Sequence, residues 1–292
     1  MRPVVIAAAA LLAAQPALAQ EEPGIVTGSR LGDVLLSPAP GRGELHLAGG
    51  LAVASADYRR GAFDGVRQWD GPVYGIDLQA VGPVLRRPHG SLDQVTLTLG
   101  SANALADTPM PGTGWWYRSD EFITLAAALA DGTLLGLTHT YRVSPNGEMD
   151  TQQETAAAIR YTGSGPVGRF RPQAKLAFRE EGGNGAYAEL SVAPQTRLDV
   201  LGRDVPLTFT IPLAVGIGFD DYYGRNSGTA AYGDGGIEAA WRLTPPESHL
   251  GAWSMTAAVH VILREGDIAN ASRFDDNDHF VGVASLGLRM AY

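Results

Sequence analysis

Charged and polar side chains recur at every second position in several stretches of the chain, each time between apolar residues. Asp77 and Gln79, for example, alternate with Ile76, Leu78 and Ala80. Both signs of charge are present in this polar set, so it could line a water-filled path with fixed charges. The pore-lining candidates on this pattern are His46, Asp77, Gln79, Arg160, Lys175, Glu189, Glu238, Arg242, His260 and Arg264. The alternative is a lumen closed by pairs of arginine and carboxylate.

A second possible chemistry is hydrolysis by a histidine and a serine. His139 lies five residues before Ser144, and a general base must come within about 3 Å of the hydroxyl that it activates. An odd separation places the two side chains on opposite faces of a continuing strand. The segment SPNG, residues 144–147, is also an ordinary turn, and no nucleophile-elbow motif occurs. We therefore expect no enzyme activity, with lipid hydrolysis as an alternative.

An acidic run near the end of the chain raises the question of a metal site. Asp275, Asp276 and Asp278 follow Glu265 and Asp267. Their spacing does not match the ligand pattern of an EF-hand loop. A solvated acidic loop is the preferred interpretation over a Ca²⁺ site, and we expect no cofactor.

The elements that carry the alternating residues are predicted to be β-strands, because side chains of a strand point to opposite faces in turn. We predict no helix. The twelve predicted strands are residues 44–53, 74–80, 95–99, 123–129, 135–141, 157–161, 174–178, 186–192, 207–219, 237–243, 253–263 and 280–292.

The connections between these strands alternate in length. Long ones span residues 59–71 and 265–278, whereas 131–132 and 244–251 are short and rich in turn residues. An even number of strands with long loops at one end is typical of outer-membrane barrels, although a soluble sandwich also shows strand alternation. The sequence thus predicts an all-β protein, a transmembrane antiparallel up-and-down β-barrel of about 12 strands. Among the loops, 103–117 is the candidate for folding inward into the barrel lumen.

The last segment, FVGVASLGLRMAY, favours the barrel over the sandwich. It alternates from Phe280 to Tyr292, with an aromatic residue at each end. Outer-membrane barrels typically end in this way, and the insertion machinery reads the pattern. In a closed barrel the last strand pairs with the first and leaves no edge.

The beginning of the chain predicts export. Residues 1–19 combine an early arginine, a short apolar run and the small-residue pattern Ala17-Leu18-Ala19, as in a cleaved signal peptide. Residues 20–43 then form a periplasmic lead-in, and residues 44–292 the barrel. The predicted location is the outer membrane of a Gram-negative bacterium, with its lipids, lipopolysaccharide, the insertion machinery and small solutes as partners.

The composition agrees with this location. The chain has no cysteine, so no disulfide stabilises it, and no stretch approaches the roughly 18 consecutive apolar residues of a membrane helix. Acidic residues outnumber basic ones, 31 against 22, which argues against nucleic acid as a partner.

Aromatic residues near the predicted strand ends are expected to form girdles at the membrane interfaces, where one end of each ring is apolar and the other wet. The predicted interface residues are Trp115, Trp116, Tyr117, Tyr222, Tyr223, Trp253, Phe280 and Tyr292.

Part of the chain resembles a known family. The run ADYRRGAFDGVRQWDGPVYGIDLQA, residues 56–80, is similar to the first strand, loop and second strand of the TorF-type porin family. The segments SDEFITLAAALADGTLLGLTHTYRVSPNG and QQETAAAIRYTG resemble its central hairpins, so that the match spans about residues 50–165. The resemblance implies an outer-membrane barrel of undefined solute without established catalytic residues. The predicted function is therefore a porin-like channel for passive diffusion of small polar solutes or ions, with a lipid hydrolase or a non-conducting structural barrel as alternatives.

The longest predicted strand, residues 207–219, contains a proline. Pro212 cannot donate to a strand ladder, so a local bulge is expected there. The alternation places Val215 toward lipid and Gly216 toward the lumen. On that basis Gly216→Arg is expected to assemble and to change conduction.

The last residue provides a first test. Tyr292→Asp should sharply lower the amount of protein in the outer membrane, because it removes an interface anchor and the assembly signal together. Tyr292→Phe retains the aromatic ring and is the matched control. The amount is measured by quantitative immunoblotting of membrane fractions, and equal levels of the two variants would contradict the interpretation of the terminus.

Overall fold

The fold is a closed antiparallel β-barrel of 12 strands, which confirms the predicted fold class. The computed structural model describes residues 45–60, 62–63, 72–86, 90–106, 114–147, 149–181, 185–198, 207–224, 227–244, 251–271 and 279–292. The predicted signal peptide, the lead-in and most of the acidic run lie outside the described residues.

The described chain contains sixteen strand segments and two short helices. The segments are β1 (His46–Ala54), β2 (Tyr58–Arg59), β3 (Ala62–Phe63), β4 (Val73–Arg86), β5 (Leu92–Ala106), β6 (Trp116–Leu129), β7 (Thr133–Val143), β8 (Gln152–Tyr161), β9 (Gln173–Glu181), β10 (Gly185–Val192), β11 (Gln195–Leu198), β12 (Leu207–Thr210), β13 (Leu213–Phe219), β14 (Ala230–Arg242), β15 (Ala252–Arg264) and β16 (Phe280–Ala291). The helices, Pro166–Phe170 and Gly266–Ala271, lie in connections and were not predicted from the sequence. Neither has the length and apolar character that a membrane-crossing helix needs.

The strands pair with their neighbours in chain order around the barrel. β1 pairs with both β4 and β16, and β14 pairs with β15 and with β12 and β13. Two of the twelve barrel strands are each built from two segments, β10 with β11 and β12 with β13. The short pair β2–β3 forms a separate hairpin that belongs to none of the twelve.

The predicted bulge at Pro212 is wrong. Thr210 pairs with Glu238 and Leu213 pairs with Gly235, so the register continues across the proline without a shift. The carbonyl of Pro212 still accepts a bond from the Gly236 N–H at 3.0 Å, and the ladder loses only the return donor. A strand that is hydrogen-bonded to a neighbouring strand on each side therefore tolerates one missing donor, and no extra residue is inserted as a bulge.

Closure of the barrel joins the two ends of the described chain. The N–H of Tyr292 donates to the Leu47 carbonyl at 2.7 Å, and the Leu47 N–H donates to the Tyr292 carbonyl at 2.9 Å. The ladder continues from Ala48 opposite Ala291 to Ala54 opposite Ser285. The first barrel strand thus has a partner on each side, and the sheet has no free edge at this seam.

The two faces of the sheet differ in polarity. Large apolar side chains such as Leu51, Leu78, Leu190 and Val259 are more than half exposed on the outer face. Buried charged residues occupy the alternate positions, which face the lumen. The barrel is therefore inverted relative to a soluble protein, with apolar residues outside and charges inside.

The facing predicted for the strand around Pro212 is confirmed, but the expected tolerance of Gly216 is wrong. Val215 lies on the outer face with 60% of its side chain exposed. A Cβ at Gly216 would lie 2.4 Å from a ring carbon of Tyr232 and 2.8 Å from the Tyr187 hydroxyl. At the level of Gly216 the lumen is filled by the side chains of Tyr187 and Tyr232. The arginine of Gly216→Arg would therefore disrupt this packing instead of lining an open path.

Val215 allows a test of the outer face. A positive charge on a lipid-facing strand near the middle of a membrane costs about 2–4 kcal/mol. Val215→Arg should therefore lower the free energy of unfolding in lipid vesicles by about that amount, while Val215→Leu should leave it nearly unchanged. The measurement is a reversible denaturant titration followed by tryptophan fluorescence. Equal stability of the two variants would show that the residue does not face lipid.

Candidate functional site in the barrel lumen

The chain that follows β1, including β2 and β3, folds into the lumen. Asp57, Tyr58 and Arg60 are all nearly inaccessible to solvent, with Arg60 only 2% exposed. Arg60 has a φ of 52°, in the left-handed region that turns the chain back toward β3. We call residues 57–60 and 62–63 the inner hairpin. The loop 103–117 was also expected to fold inward, but its residues 107–113 lie outside the described part of the chain, so this stays a prediction. The inner hairpin lies at the end of the lumen where β1 ends, which we call the mouth.

The inner hairpin is held by an ion pair between Arg60 and Glu154 of β8. The guanidinium contacts both carboxylate oxygens of Glu154, with one of the two bonds at 2.7 Å. The Tyr222 hydroxyl donates to the same carboxylate at 2.5 Å. The guanidinium carbon also lies 4.6 Å from the ring centroid of Tyr187 and 5.7 Å from that of Tyr222, in cation–π contact. The pair is buried on both sides, so breaking it would leave a charge without compensation.

A second ionic contact holds the beginning of the inner hairpin to β6. Asp57 accepts bonds from Arg118 at 2.5 Å and from the Tyr117 hydroxyl at 2.7 Å. Arg118 also lies 3.5 Å from Asp120, which in turn accepts a bond from Arg142 of β7 at 2.6 Å. Acids and bases alternate along this chain of contacts, so the charges compensate one another within the lumen.

At the level of the inner hairpin, the rest of the lumen is occupied by tyrosines around Glu189. Tyr187 and Tyr232 both donate to the same oxygen of Glu189, the latter at 2.7 Å, and their hydroxyls lie 2.7 Å apart. The rings of Tyr187 and Tyr222 stack with centroids 5.2 Å apart. Tyr58 lies under the Arg264 guanidinium at 5.2 Å. The mouth is therefore narrowed by side chains of the inner hairpin and of the barrel wall together.

A histidine between two carboxylates lies further along the wall. The Nδ1 atom of His260 is 2.9 Å from Asp234, and its Nε2 atom is 3.2 Å from Glu238. Both ring nitrogens lie within hydrogen-bond distance of a carboxylate oxygen, an arrangement that fixes the orientation of the ring. In the described residues no cluster of His, Asp and Glu has the geometry of a metal site.

The half of the lumen at the short-turn end is more open. Asp77 and Arg289 form an ion pair at 3.1 Å whose side chains remain more than a fifth exposed. A Cβ at Gly50 would lie 2.7 Å from Asp77, so glycine leaves room for this pair. Arg160 bonds to Gln173 at 2.6 Å on the opposite wall. Asp77, Arg289 and Arg160 are thus partly accessible, unlike the charged groups at the mouth, whereas Arg242 near the same end is buried.

All ten pore-lining candidates lie at lumen-facing positions of the alternating strands. Glu189, Glu238, Arg242, His260 and Arg264 are buried there. His46, Asp77, Gln79, Arg160 and Lys175 are partly exposed. That they line a path for solutes stays a prediction.

Several residues of the lumen network were not predicted from the sequence. Glu154 belongs to the same alternation as Arg160 on β8, and Arg142 belongs to the corresponding lumen-facing alternation on β7. Both could have been found by extending these alternations toward the strand ends. Asp57 and Arg60 come from a connection, and no periodicity indicates that a connection folds inward.

The interface assignment is wrong for Tyr117, Tyr222 and Tyr223. Tyr117 and Tyr222 are 0% and 1% exposed and lie inside the lumen. Tyr223 packs edge-on against Tyr222, with centroids 5.3 Å apart, and its hydroxyl is buried. The cause at Tyr117 is a bulge: Leu105 pairs with Trp116 and Ala104 with Arg118, so the extra residue between them turns inward.

The other five predicted interface residues lie on the outer face. Trp115, Trp116, Phe280 and Tyr292 are exposed there, and Trp253 is half-buried. Their position is compatible with girdles, whose formation stays a prediction.

The proposed pair for hydrolysis does not form. His139 lies on the outer face with its Nδ1 atom 3.0 Å from the Thr155 hydroxyl. The Ser144 hydroxyl instead donates to Asn146 at 2.9 Å and accepts a bond from the Met149 N–H. In the described part of the chain no contact joins His139 to Ser144, so the alternative of a lipid hydrolase gains no geometric support.

Comparisons with known proteins give only a general likeness. No protein-family model and no curated protein matches the chain, so the resemblance to TorF-type porins stays a prediction. Among solved structures, the chain is similar to the NanC porin (10% identity, 84% of this chain and 98% of that one, TM-score 0.39). It is also similar to the β domain of the Bordetella autotransporter BrkA (11%, 85% and 99%, 0.40) and to Omp33 of Acinetobacter baumannii (9%, 85% and 98%, 0.35). At these values the likeness carries no argument about function.

The Arg60–Glu154 pair allows a test of the lumen network. Arg60→Ala should lower the free energy of unfolding by about 3–5 kcal/mol, because it leaves Glu154 buried without its partner. The double variant with Glu154→Ala should cost less than the sum of the two single variants, with a coupling of about 0.5–3 kcal/mol. Strict additivity in this double-mutant cycle would contradict the pairing.

Proposed function

We propose that this barrel lies in the outer membrane of a Gram-negative bacterium and acts as a porin-like channel for passive diffusion of small polar solutes or ions. The observation that carries the proposal is the opposite polarity of the two faces. An apolar outer face suits lipid, and a lumen lined with both signs of charge suits water and polar solutes.

The inner hairpin restricts this channel at its outer mouth. The residues that narrow the mouth come partly from the inner hairpin, which is a connection between strands. The contacts of Asp57 with Arg118 and of Arg60 with Glu154 hold this connection in place. A connection can leave the lumen while every strand ladder stays intact. The channel is therefore narrow with the inner hairpin in place and wide with it displaced.

Export, assembly and partners follow from the same proposal. Residues 1–19 direct export and are removed, and the alternating C-terminal strand with Tyr292 is recognised by the outer-membrane insertion machinery. The outer face contacts lipid and lipopolysaccharide. The proposal includes neither catalysis nor a cofactor nor a nucleic acid partner.

Planar-bilayer conductance of the refolded protein tests the channel. The wild type should show small unitary steps, and Arg60→Ala should show larger ones, because the inner hairpin loses its ion pair with Glu154. Arg169→Ala is the matched control, since Arg169 is exposed in the helix Pro166–Phe170 away from the lumen. Absence of conductance in both the wild type and Arg60→Ala would overturn the channel and favour a non-conducting structural barrel.

A further inference from the structure

A polar patch interrupts the apolar outer face on one side of the barrel. Its residues alternate with lumen residues such as Asp120 and Thr140, and they therefore point outward. We define the patch as Ser101, Asn103, Ser119, Glu121, His139 and Thr155, on β5 to β8. Glu180 of β9 adjoins it and accepts a bond from the Thr155 hydroxyl at 3.2 Å.

The patch lies between apolar residues and an aromatic one along the strand direction. The outward positions of β6 run from Leu125 and Ile123 through Glu121 and Ser119 to Trp116, beyond the bulge. Leu125 and Trp116 are both exposed on the outer face. The proposed function therefore places the patch inside the membrane, below the aromatic residue at its surface.

A layer of lipid headgroups does not account for the patch, because such a layer would surround the barrel. On the other side the outward positions stay apolar up to the same ends of the strands, at Phe219, Leu263 and Phe280. A polar surface confined to one side of a membrane barrel fits contact with a protein partner at that side.

Hydrogen bonds at the patch leave polar atoms facing outward, among them one on Glu121 and one on His139. One carboxylate oxygen of Glu121 accepts bonds from Ser101 at 2.8 Å and from Ser119 at 2.9 Å. The Nδ1 atom of His139 lies 3.0 Å from Thr155. Within the described residues, the other Glu121 oxygen and the Nε2 atom of His139 have no hydrogen-bond partner. Polar atoms left in this state are costly in a membrane.

The two groups are complementary and adjacent. Glu121 pairs with Tyr141, and Ile123 pairs with His139, so Glu121 and His139 are diagonal neighbours across β6 and β7. A two-fold axis between them brings each Glu121 opposite the His139 of a second copy, so that a carboxylate oxygen, which accepts hydrogen bonds, faces a ring nitrogen that can donate one. Such an isologous contact uses the same surface on both copies.

We propose that the patch is the interface of a two-fold dimer of this chain, held by two reciprocal Glu121–His139 pairs. The inference rests on the membrane location in the proposed function, and it is independent of conduction.

Cross-linking in native membranes tests the interface. The natural chain has no cysteine, so a single cysteine reports one position. Ile123→Cys lies beside both groups and should give a dimer with a short bis-maleimide reagent. Val259→Cys, at a position on β15 that is also exposed on the outer face, is the matched control and should stay monomeric. A monomeric Ile123→Cys protein in the membrane fraction would overturn the dimer.

Two further variants test the reciprocal pairs. Glu121→Leu and His139→Leu, each in the Ile123→Cys background, should fold because leucine suits a lipid-facing position. Each variant loses both pairs, and each lost pair should lower the dimer association constant about tenfold, or about 1.4 kcal/mol. Coexpression of the two variants should restore part of the cross-linked product, since a mixed dimer retains one pair.

The outcomes separate this inference from the proposed function. Unchanged cross-linking in the leucine variants, or no restoration on coexpression, would overturn the reciprocal pairs. Protein that is recovered in the soluble fraction would instead overturn the membrane location. A heat-modifiable monomer in the membrane would overturn only the dimer.

Discussion

Pairing of β1 with β16 closes the sheet, and the other properties of the molecule depend on this closure. An open sheet would leave a row of backbone N–H and C=O groups unpaired, which an apolar environment penalises by several kcal/mol for each group. The mutual bonds of Leu47 and Tyr292 show that the seam is completed up to the last residue. Only because the backbone is satisfied within the sheet can side chains such as Leu51 and Leu288 cover the outside.

The same closure determines the chemistry of the lumen. Charges on the inner positions cannot reach bulk water freely, so they must pair with one another or with chain that enters from the mouth. Arg60 and Asp57 enter from the inner hairpin and meet Glu154 and Arg118 on the wall. The width of the lumen at the mouth is therefore set less by the number of strands than by a short connection and its two ion pairs. A buried pair of this kind is a sensitive element, because either partner left alone destabilises its surroundings.

The sequence predicted those features that depend on a two-residue period. The number of strands and the facing of Val215 follow from side chains alternating along each strand, and the structure confirms them. Features that depend on a break in the period were missed. Tyr117 turns inward at a bulge, Tyr222 follows two residues with positive φ, and the inner hairpin is a connection. Pro212 shows the opposite case, since a residue that usually marks a break leaves the register intact.

The lumen network and the outer patch occupy the same part of the wall. On β6, Asp120 faces the lumen between Ser119 and Glu121 on the outside; on β8, Glu154 faces the lumen next to Thr155 on the outside. These strand ends are thus polar on both faces, which neither a lipid-facing wall nor an empty channel requires. The inner hairpin docks on this wall from within through Arg118 and Glu154. A second copy against the outer patch would bury the outer face of this wall. The wall would then be held from both sides, whereas the apolar wall opposite would face only lipid. The polarity of β6 to β8 is in this way explained by two contacts, one inside the barrel and one between barrels, and each can be removed without the other.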